Sequence, residues 1–408
     1  ASRHVVQLSA CRSRSQEGGN EPLINYIYRC TICSAAYEIR PEYTVCPQCA
    51  PAQQADQPLH GILEVELHGS AGGRFNIGEL LPIEPEYFPP MPVGNTPLWE
   101  PRRLRDLTGL RQLFIKDDGA NPTSSFKDRA SFLVSAAANK FGIKEITLAS
   151  TGNAGSSMAG IGAAAGQHIN LFLPESAPPA KLVQALQYGA RVFRVNGNYD
   201  KAYDLSLDYT CRKGGMNRNT AYNPLTIEGK KSVSLELFGQ LGRAPDVVFV
   251  SVGDGCILAG VYKGFRDLVQ LGYINEVPKI VGVQAETSDA LCRAFHSGVF
   301  ENIPTSTVAD SICVDVPRNG AHALSMLKSY GGQMMTVSDR EIIEAQSELS
   351  RTAGLFTEPA GAAAYAGLKT AAPGLEPESV VVVLATGNGL KDTGSAALGL
   401  EVPEHCID

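Results

Sequence analysis

The sequence predicts an α/β fold built mostly on parallel sheet. From residue 113 onward, short β-branched or apolar runs alternate with longer helical patterns, which is typical of consecutive strand–helix–strand units. The chain has 408 residues, of which 44 % are hydrophobic and 19 % charged. This length and composition are typical of a folded globular protein with about two to three domains.

The predicted elements follow one another along the chain. GILEVEL at 61–67 is a short apolar stretch, and LPIEPEYFPPMPVGNTPL at 81–98 is a proline-rich connector. Seven runs beyond it are expected to be strands separated by helices: EITLAS (145–150), INLFLP (169–174), RVFRV (191–195), DVVFVSV (246–252), KIVGVQA (279–285), QMMTV (333–337) and SVVVVLA (379–385). Ser338 and Glu341 have the spacing of a capping box, which predicts the start of a helix after QMMTV.

We divide the chain into three parts on this basis. Residues 1–90 form an N-terminal extension. Residues 91–129 and 205–408 form a large domain, and residues 130–204 form a small α/β domain inserted into it.

Charge and hydropathy argue against two classes of partner. The net charge is −7, the isoelectric point is near 5.6, and no basic run compensates, so we expect no nucleic-acid partner. The longest apolar run, at 379–385, is far shorter than the roughly 20 residues of a membrane helix, and the N-terminus has no apolar core of the signal-peptide type. We expect a cytoplasmic protein and, as the default for a soluble enzyme of this size, a homodimer.

Four cysteines have the spacing of a metal-binding ribbon. Cys30, Cys33, Cys46 and Cys49 form C-x2-C-x12-C-x2-C within residues 26–50, so two knuckles can present four thiolates to one zinc ion. Four protein ligands leave no open position, which indicates a structural role. The alternatives are two disulfides or a ribbon without its metal. The segment carries equal numbers of basic and acidic residues, which argues against binding to a phosphate backbone.

Three glycine-containing loops follow predicted strands: STGNAGSS at 150–157, SVGDGC at 251–256 and LATGNGLKD at 384–392. Each alone is compatible with an ordinary tight turn. Loops at the carboxyl ends of parallel strands converge on one crevice, where open α/β sheets bind ligands, and backbone N–H groups at helix starts bind phosphates.

One lysine stands at a predicted helix start. Lys127, in NPTSSFKDRA at 121–130, lies where the helix dipole repels a cation. The same field, together with burial, lowers the pKa of an amine, as Schiff-base chemistry requires. The alternative is a surface lysine paired with Asp128. The three loops favour the functional interpretation.

These motifs resemble those of one enzyme family. NPTSSFKDRA is similar to the N-P-T-x-S-F-K-D-R signature of threonine synthases, which belong to the second fold type of pyridoxal-phosphate (PLP) enzymes. VGNTPL, STGNAG, NPLTIEGKKS, GLFTEPAGAAAYAGL and LATGNGLKD resemble family segments in family order, over roughly residues 90 to 395. The ribbon resembles the extension of archaeal-type threonine synthases and cysteate synthases. The resemblance implies two open α/β domains of the tryptophan synthase beta type, with PLP in the large domain and a small N-terminal zinc-ribbon module.

The resemblance also implies roles for individual residues. Lys127 would be joined covalently to PLP and would move protons at Cα and Cβ of the substrate. Asn153 would hydrogen-bond the 3′-oxygen of PLP, Thr386 would meet the pyridine nitrogen, and the phosphate would lie on the backbone of Gly253, Asp254, Gly255 and Cys256. We expect the Asp254 carboxylate to turn away from that phosphate.

The implied reaction converts O-phosphohomoserine and water to threonine and phosphate, which requires a second anion site. Candidate substrate-binding residues are Lys116, Ser125, Ser150, Thr151 and Lys230 or its neighbour Lys231. The chain departs from the family at Thr226, where the pattern has an arginine, and at Lys230, where it has a glutamine. A β-replacement or elimination on phosphoserine, serine or threonine, as in cysteate synthases or dehydratases, is therefore an alternative. A non-catalytic PLP-binding or adaptor protein is a third, but it has no need of a Schiff-base lysine.

Overall fold

The computed structural model of the chain describes residues 24–70, 75–175, 177, 179–398 and 400. Residues 1–23 and 71–74 of the predicted extension, and residues 399 and 401–408 of the predicted large domain, lie outside the described residues. The described strands form three sheets of three, six and four strands. They are β1 (Ile24–Cys30), β2 (Ala36–Tyr37), β3 (Leu63–Gly69), β4 (Leu98–Trp99), β5 (Gln112–Asp117), β6 (Glu145–Ala149), β7 (His168–Pro174), β8 (Arg191–Val195), β9 (Met216–Asn217), β10 (Val247–Ser251), β11 (Lys279–Ala285), β12 (Gln333–Val337) and β13 (Val380–Ala385).

Helices alternate with these strands, as the sequence predicts. They are α1 (Arg102–Thr108), α2 (Lys127–Lys140), α3 (Asn153–Ala165), α4 (Pro179–Gln187), α5 (Tyr199–Lys213), α6 (Leu225–Lys230), α7 (Ser232–Leu241), α8 (Cys256–Gln270), α9 (Ala290–Ser297), α10 (Gly320–Ser329), α11 (Asp339–Glu348), α12 (Pro359–Ala371) and α13 (Thr393–Ala397). The predicted capping box begins α11: Ser338 and Glu341 each accept a hydrogen bond from the other residue's backbone N–H.

The six-stranded sheet is the centre of the large domain. Its strand order is β12-β11-β10-β13-β5-β4, and all pairs are parallel except β4 with β5. Both faces are buried: Val248 and Val250 pack in the core that contains α8, while Val247 and Phe249 pack in the core that contains α12. Burial on both faces explains why β10 and β13 are continuous valine-rich runs rather than alternating ones.

The four-stranded sheet is entirely parallel, with the order β8-β7-β6-β9. It corrects the predicted domain limits. The boundary after residue 129 falls inside α2, and the boundary after residue 204 falls inside α5. Strand β9, beyond that second boundary, pairs with β6. A two-residue strand carries no periodicity, which is why the sequence pattern did not reveal it.

The three-stranded sheet is antiparallel, in the order β2-β1-β3. Tyr28 and Val65 from this sheet share a hydrophobic core with Leu133 of α2 and Leu225 of α6. The N-terminal module therefore packs on the helices that lead into and out of the small domain. In the described part of the chain, none of the helices is both long enough and apolar enough to cross a membrane.

Candidate active site

The carboxyl ends of the two parallel sheets lie next to each other. Asn153, just beyond β6, donates hydrogen bonds of 2.9 and 3.0 Å to the carboxylate of Glu358, which immediately precedes α12. Lys391, beyond β13, donates a 2.9 Å hydrogen bond to Ser156 on α3. A crevice between two such edges is where open α/β folds bind ligands.

Lys127 is the first residue of α2, as the sequence predicts. The backbone before it is held by the third glycine loop, because the N–H of Phe126 donates to the carbonyl of Thr386 at 2.8 Å and the carbonyl of Ser124 accepts from Asn388 at 3.0 Å. Ser124 has a φ of 69°, a conformation that costs energy for a residue with a side chain and recurs at functional sites. Lys127 and the third loop are thus fixed to each other.

The amine of Lys127 is not paired with Asp128. The Asp128 carboxylate accepts hydrogen bonds from the backbone and the hydroxyl of Thr123, and Lys127 makes no hydrogen bond or ion pair within the described residues. Burial lowers the pKa of the Lys127 amine. The charge of Arg218 lowers it further, whereas Asp254 and Glu358 raise it. An amine with a depressed pKa is the nucleophilic form that covalent catalysis uses.

The second glycine loop joins β10 to α8. Gly255 has a φ of 86°, and an added Cβ there would lie 2.8 Å from Ala323, while one at Gly253 would lie 3.0 Å from Ile312. Both positions therefore require glycine. The Asp254 carboxylate does not turn away as expected; it accepts a 2.9 Å hydrogen bond from the N–H of Cys256. The reason is that a helix start leaves its first N–H groups without partners, and a nearby carboxylate satisfies one of them.

Glu358 is a site residue that the sequence interpretation missed. Its side chain is buried, and burial raises its pKa. It accepts the two hydrogen bonds from Asn153, whose Nδ2 also donates to Ser311 at 3.2 Å. The available signal was its place in TEPAGAAA, where a charged residue directly precedes an apolar helix. Its partner Asn153 lies 205 positions away, so no local pattern relates the two.

Beside Glu358 lies a cavity of about 440 Å³, which is within the usual size range for small-molecule sites. Asn153, Ser156 and Gln184 line it from the small domain, and Glu358 and Lys391 line it from the large domain. Burial lowers the pKa of Lys391, which also donates to Gln184. LATGNGLKD contained this lysine, but nothing in the motif marked it as a cavity residue.

The structure separates the candidate substrate-binding residues. Lys116 is wrongly assigned: it is fully buried, donates to the carbonyl of Thr96 at 2.7 Å and to Gln240 at 2.9 Å, and pairs with Glu236 at 2.7 Å. A strand residue whose two faces are covered has no route to a ligand. This lysine belongs to a buried charge network of Lys116, Asp118, Arg129 and Glu236.

Ser125, Ser150 and Thr151 lie at the crevice. Ser125 Oγ is buried and has no hydrogen-bond partner among the described residues. Ser150 Oγ accepts from the N–H groups of Gly152 at 3.2 Å and Gly155 at 3.0 Å, so its hydroxyl stabilises the start of α3. Thr151 is half-buried in the same loop.

Lys230 and Lys231 differ in surroundings. Lys231 pairs with Asp267 at 2.9 Å in a buried ionic cluster away from the loops, so it is not a site residue. Lys230 is buried and donates to the carbonyl of Thr226 at 3.0 Å. Its pKa is lowered to about 8, chiefly by burial, and its charge interacts with those of Cys256 and Asp254. Lys230 therefore lies beside the second glycine loop.

Thr226 cannot take the place of an arginine. It is fully buried, and its hydroxyl donates to the carbonyl of Asn223 at 2.8 Å. A different arginine, Arg218, lies in the crevice directly after β9, where its backbone N–H donates to the carbonyl of Thr147 at 2.8 Å. Arg218 is 1 % exposed, and its Nη2 has no partner among the described residues. Sequence analysis missed it because β9 is too short to be recognised.

The four N-terminal cysteines form one cluster. All four sulfur atoms lie within 4.8 Å of one another, with Cys30 and Cys49 3.8 Å apart and Cys33 and Cys46 3.7 Å apart. A tetrahedron with Zn–S bonds of about 2.3 Å has edges of about 3.8 Å. None of the described cysteines forms a disulfide, so the disulfide alternative fails.

Comparison with known proteins agrees with this geometry. Residues 90–387 match the family described as pyridoxal-phosphate dependent enzyme. Threonine synthase of Methanocaldococcus jannaschii is 33 % identical over 389 residues, covering 92 % of this chain and 96 % of that protein. Threonine synthase of Methanosarcina acetivorans is 33 % identical over 378 residues, covering 90 % and 92 %.

Solved structures show the same architecture. A bacterial threonine deaminase, from T.th., superposes with a TM-score of 0.63 at 25 % identity, over 72 % of this chain and 92 % of that chain. Diaminopropionate ammonia lyase of Escherichia coli superposes with a TM-score of 0.65 at 18 % identity, over 75 % and 87 %. The expected two-domain fold of the second PLP type is confirmed. The chain belongs to the threonine synthase family of pyridoxal-phosphate dependent enzymes.

Proposed function

We propose that this protein is a PLP-dependent lyase that converts O-phosphohomoserine and water to threonine and phosphate. The observation that carries the proposal is the unpaired amine of Lys127, held beside three glycine loops at the edge shared by two parallel sheets. Identity to threonine synthases over nine-tenths of the chain supports the choice of reaction within the family.

The residues of the crevice fit pyridoxal phosphate. The loop of Gly253, Asp254, Gly255 and Cys256 would hold the phosphate on backbone N–H groups at the start of α8, a common anion site. Lys230 adds a positive charge next to this loop. The buried Ser125 hydroxyl without a partner supports a missing polar neighbour at this place. Asn153 and Thr386 would meet the ring at its oxygen and nitrogen.

When bound, pyridoxal phosphate withdraws electrons from the α-carbon of an amino acid. Lys127 would first hold the cofactor and, after substrate displaces it, would carry protons at Cα and Cβ. Its depressed pKa supports this role, because only an uncharged amine accepts a proton. Thr386 offers a hydroxyl rather than a carboxylate to the pyridine nitrogen, which favours eliminations and replacements over transamination.

The substrate would enter through the 440 Å³ cavity. N–H groups at the start of α3, which follow Ser150 and Thr151, suit an anionic carboxylate. Lys391 contributes a cation on the opposite wall. Glu358 would act as a positioning residue, because its two hydrogen bonds fix the amide of Asn153.

A second candidate function is elimination from threonine or serine to give a 2-oxo acid. Two observations favour it: Thr226 replaces the family arginine, and the solved threonine deaminase has the same fold at 25 % identity. A sulfite-for-phosphate exchange on phosphoserine, as in cysteate synthases, requires the same anion site as the proposed reaction.

One experiment separates these reactions. The PLP-loaded protein is incubated in parallel with O-phosphohomoserine, O-phosphoserine, threonine and serine, and released phosphate, threonine and 2-oxo acid are measured. We expect phosphate and threonine in equal amounts from O-phosphohomoserine. Production of 2-oxo acid from threonine, with no phosphate release from O-phosphohomoserine, would replace the proposal with the dehydratase function.

The cysteine cluster would bind one structural Zn²⁺. Its sulfur separations and its four-ligand closure support this metal, and its place on the N-terminal sheet separates it from the chemistry. Elemental analysis of the purified protein should give one zinc per chain.

The proposal retains a cytoplasmic homodimer that acts on a phosphorylated amino acid, and light scattering measures the oligomeric state. It assigns residues 145–217, which contain the four-stranded sheet, to the small domain.

A further inference from the structure

Arg218 is a buried cation that lacks a buried anion. Its Nε lies 3.3 Å from Ser131 Oγ and its Nη1 lies 3.2 Å from Thr220 Oγ1, and both partners are neutral hydroxyls. Within the described residues, no carboxylate is within ion-pair distance of its guanidinium. Burying an unpaired charge costs several kcal/mol, so a protein retains one where a ligand supplies the opposite charge.

The guanidinium is held in a fixed orientation with one end free. Nη1 carries two hydrogen atoms, of which Thr220 takes one, and Nη2 has no partner among the described residues. The end of the group can therefore donate two parallel hydrogen bonds, which is the geometry that binds a phosphate with two oxygen atoms at once. Although burial lowers the pKa of Arg218 to about 10, the group is charged at neutral pH.

We propose that Arg218 binds the phosphate on the side chain of the substrate and so replaces the arginine that position 226 lacks. This inference rests on the proposed function and names the residue that selects a phosphorylated substrate. It also explains how the chain keeps a second anion site although Thr226 faces its own helix.

The cofactor phosphate has its own donors on the other side of the crevice. Those donors are the N–H groups of the second glycine loop and the amine of Lys230, all from elements attached to the six-stranded sheet. Arg218 instead extends from the four-stranded sheet and is braced by Ser131 of α2. It acts electrostatically on the amine of Lys127, the group at which a bound amino acid reacts, so an anion on Arg218 lies close to the reacting carbons.

The test compares the wild-type holoenzyme with Arg218→Gln and with the control Arg212→Gln, which removes an exposed arginine on α5 that pairs with Asp208. Three quantities are measured for each: PLP affinity by absorbance titration, binding of inorganic phosphate by calorimetry, and kcat/KM for O-phosphohomoserine. Arg218→Gln should weaken phosphate binding and lower kcat/KM about ten- to hundredfold, the value of hydrogen bonds to a charged group. PLP affinity should stay within about twofold, and Arg212→Gln should resemble the wild type in all three.

Each other outcome is decisive. Unchanged phosphate binding in Arg218→Gln, no phosphate binding in the wild type, or a loss confined to PLP affinity would overturn the inference. If the wild type does not turn over O-phosphohomoserine, the proposed function fails, but the phosphate titration still decides the role of Arg218.

Folding of the variant is checked by thermal unfolding without phosphate. Arg218→Gln should unfold at the same or a higher temperature than the wild type, because an unpaired buried charge has been removed. Should the variant not fold, Arg218→Lys keeps the charge without the fork and should weaken phosphate binding by a smaller factor; equal binding would count against the inference.

Discussion

Removal of one carboxylate from the buried charge network should destabilise the protein strongly. Glu236 accepts hydrogen bonds from Arg129 at 2.6 and 2.8 Å, from Lys116 at 2.7 Å and from the N–H of Asn95 at 2.8 Å. Its side chain is 7 % exposed, and those of Arg129 and Lys116 are fully buried. In Glu236→Gln an amide faces both cations, which are left without sufficient negative charge.

Two routes give the same magnitude for this change. The pKa of Glu236 falls from its usual 4.5 to about 2: burial opposes the fall, and the charges of Arg129 and Lys116 outweigh it. At 1.36 kcal/mol per tenfold change, this corresponds to about 3 kcal/mol. Breaking a buried ion pair by removing one partner typically costs about 3–5 kcal/mol. We therefore expect Glu236→Gln to lower the free energy of unfolding by about 3–5 kcal/mol at pH 7.

Urea unfolding, followed by circular dichroism, measures this loss through the shift in midpoint at constant m-value. Glu378→Gln is the matched control, because this carboxylate is exposed and pairs with the exposed Arg111; it should cause no measurable change. Adding Lys116→Met to Glu236→Gln should recover part of the loss, since one uncompensated cation is removed. A loss below about 1 kcal/mol for Glu236→Gln would refute the reasoning, since the cations would then be compensated by other groups.

The same carboxylate predicts a pH dependence. A carboxyl with a depressed pKa contributes its full stabilisation above its unfolded value and loses it as the pH falls toward its folded value. The stability difference between wild type and Glu236→Gln should therefore be constant above pH 4.5 and shrink between pH 4.5 and about 2. A difference that stays constant across that range would contradict the assignment.

Three further variants test the site and the module. Lys127→Ala should abolish the cofactor absorbance and lower turnover at least about a thousandfold, whereas Lys140→Ala, at the other end of the same helix, should change neither; retained activity without the Lys127 amine would end the mechanistic proposal. Cys46→Ser, or removal of zinc by a chelator, should lower the unfolding temperature by several degrees before activity changes, with Cys211→Ser as the exposed control; loss of catalysis in a still-folded protein would contradict a structural metal. Glu358→Gln should weaken PLP binding or turnover about ten- to hundredfold, because Asn153 loses a charged acceptor; wild-type kinetics would remove Glu358 from the site.

The sequence was sufficient where the signal is local. Strand periodicity, the capping box at Ser338 and the helix start at Lys127 each depend on neighbouring residues, and all three predictions are confirmed. Local signals failed where burial or pairing is decided far along the chain. Lys116 had the right charge for a phosphate site, but Glu236 on another element consumes that charge.

Glu358 and Arg218 illustrate the opposite failure. Both act in the crevice, and neither is part of a spacing rule: the partner of Glu358 is 205 positions away, and Arg218 follows a two-residue strand. The displaced arginine indicates that a motif predicts which chemistry is needed more securely than which residue supplies it.

The nested arrangement of the sheets has a consequence for synthesis of the protein. Strand β5 pairs with β13, its parallel neighbour, in register from Gln112 and Val380 onward, so one edge of β5 waits for a strand made roughly 270 residues later. At the 5–20 residues per second typical of ribosomes, this interval lasts on the order of 10 to 50 s. The exposed apolar strand is then open to association with other nascent chains. Recombinant yield should therefore depend on chaperone supply and growth temperature more than on the stability of the finished molecule.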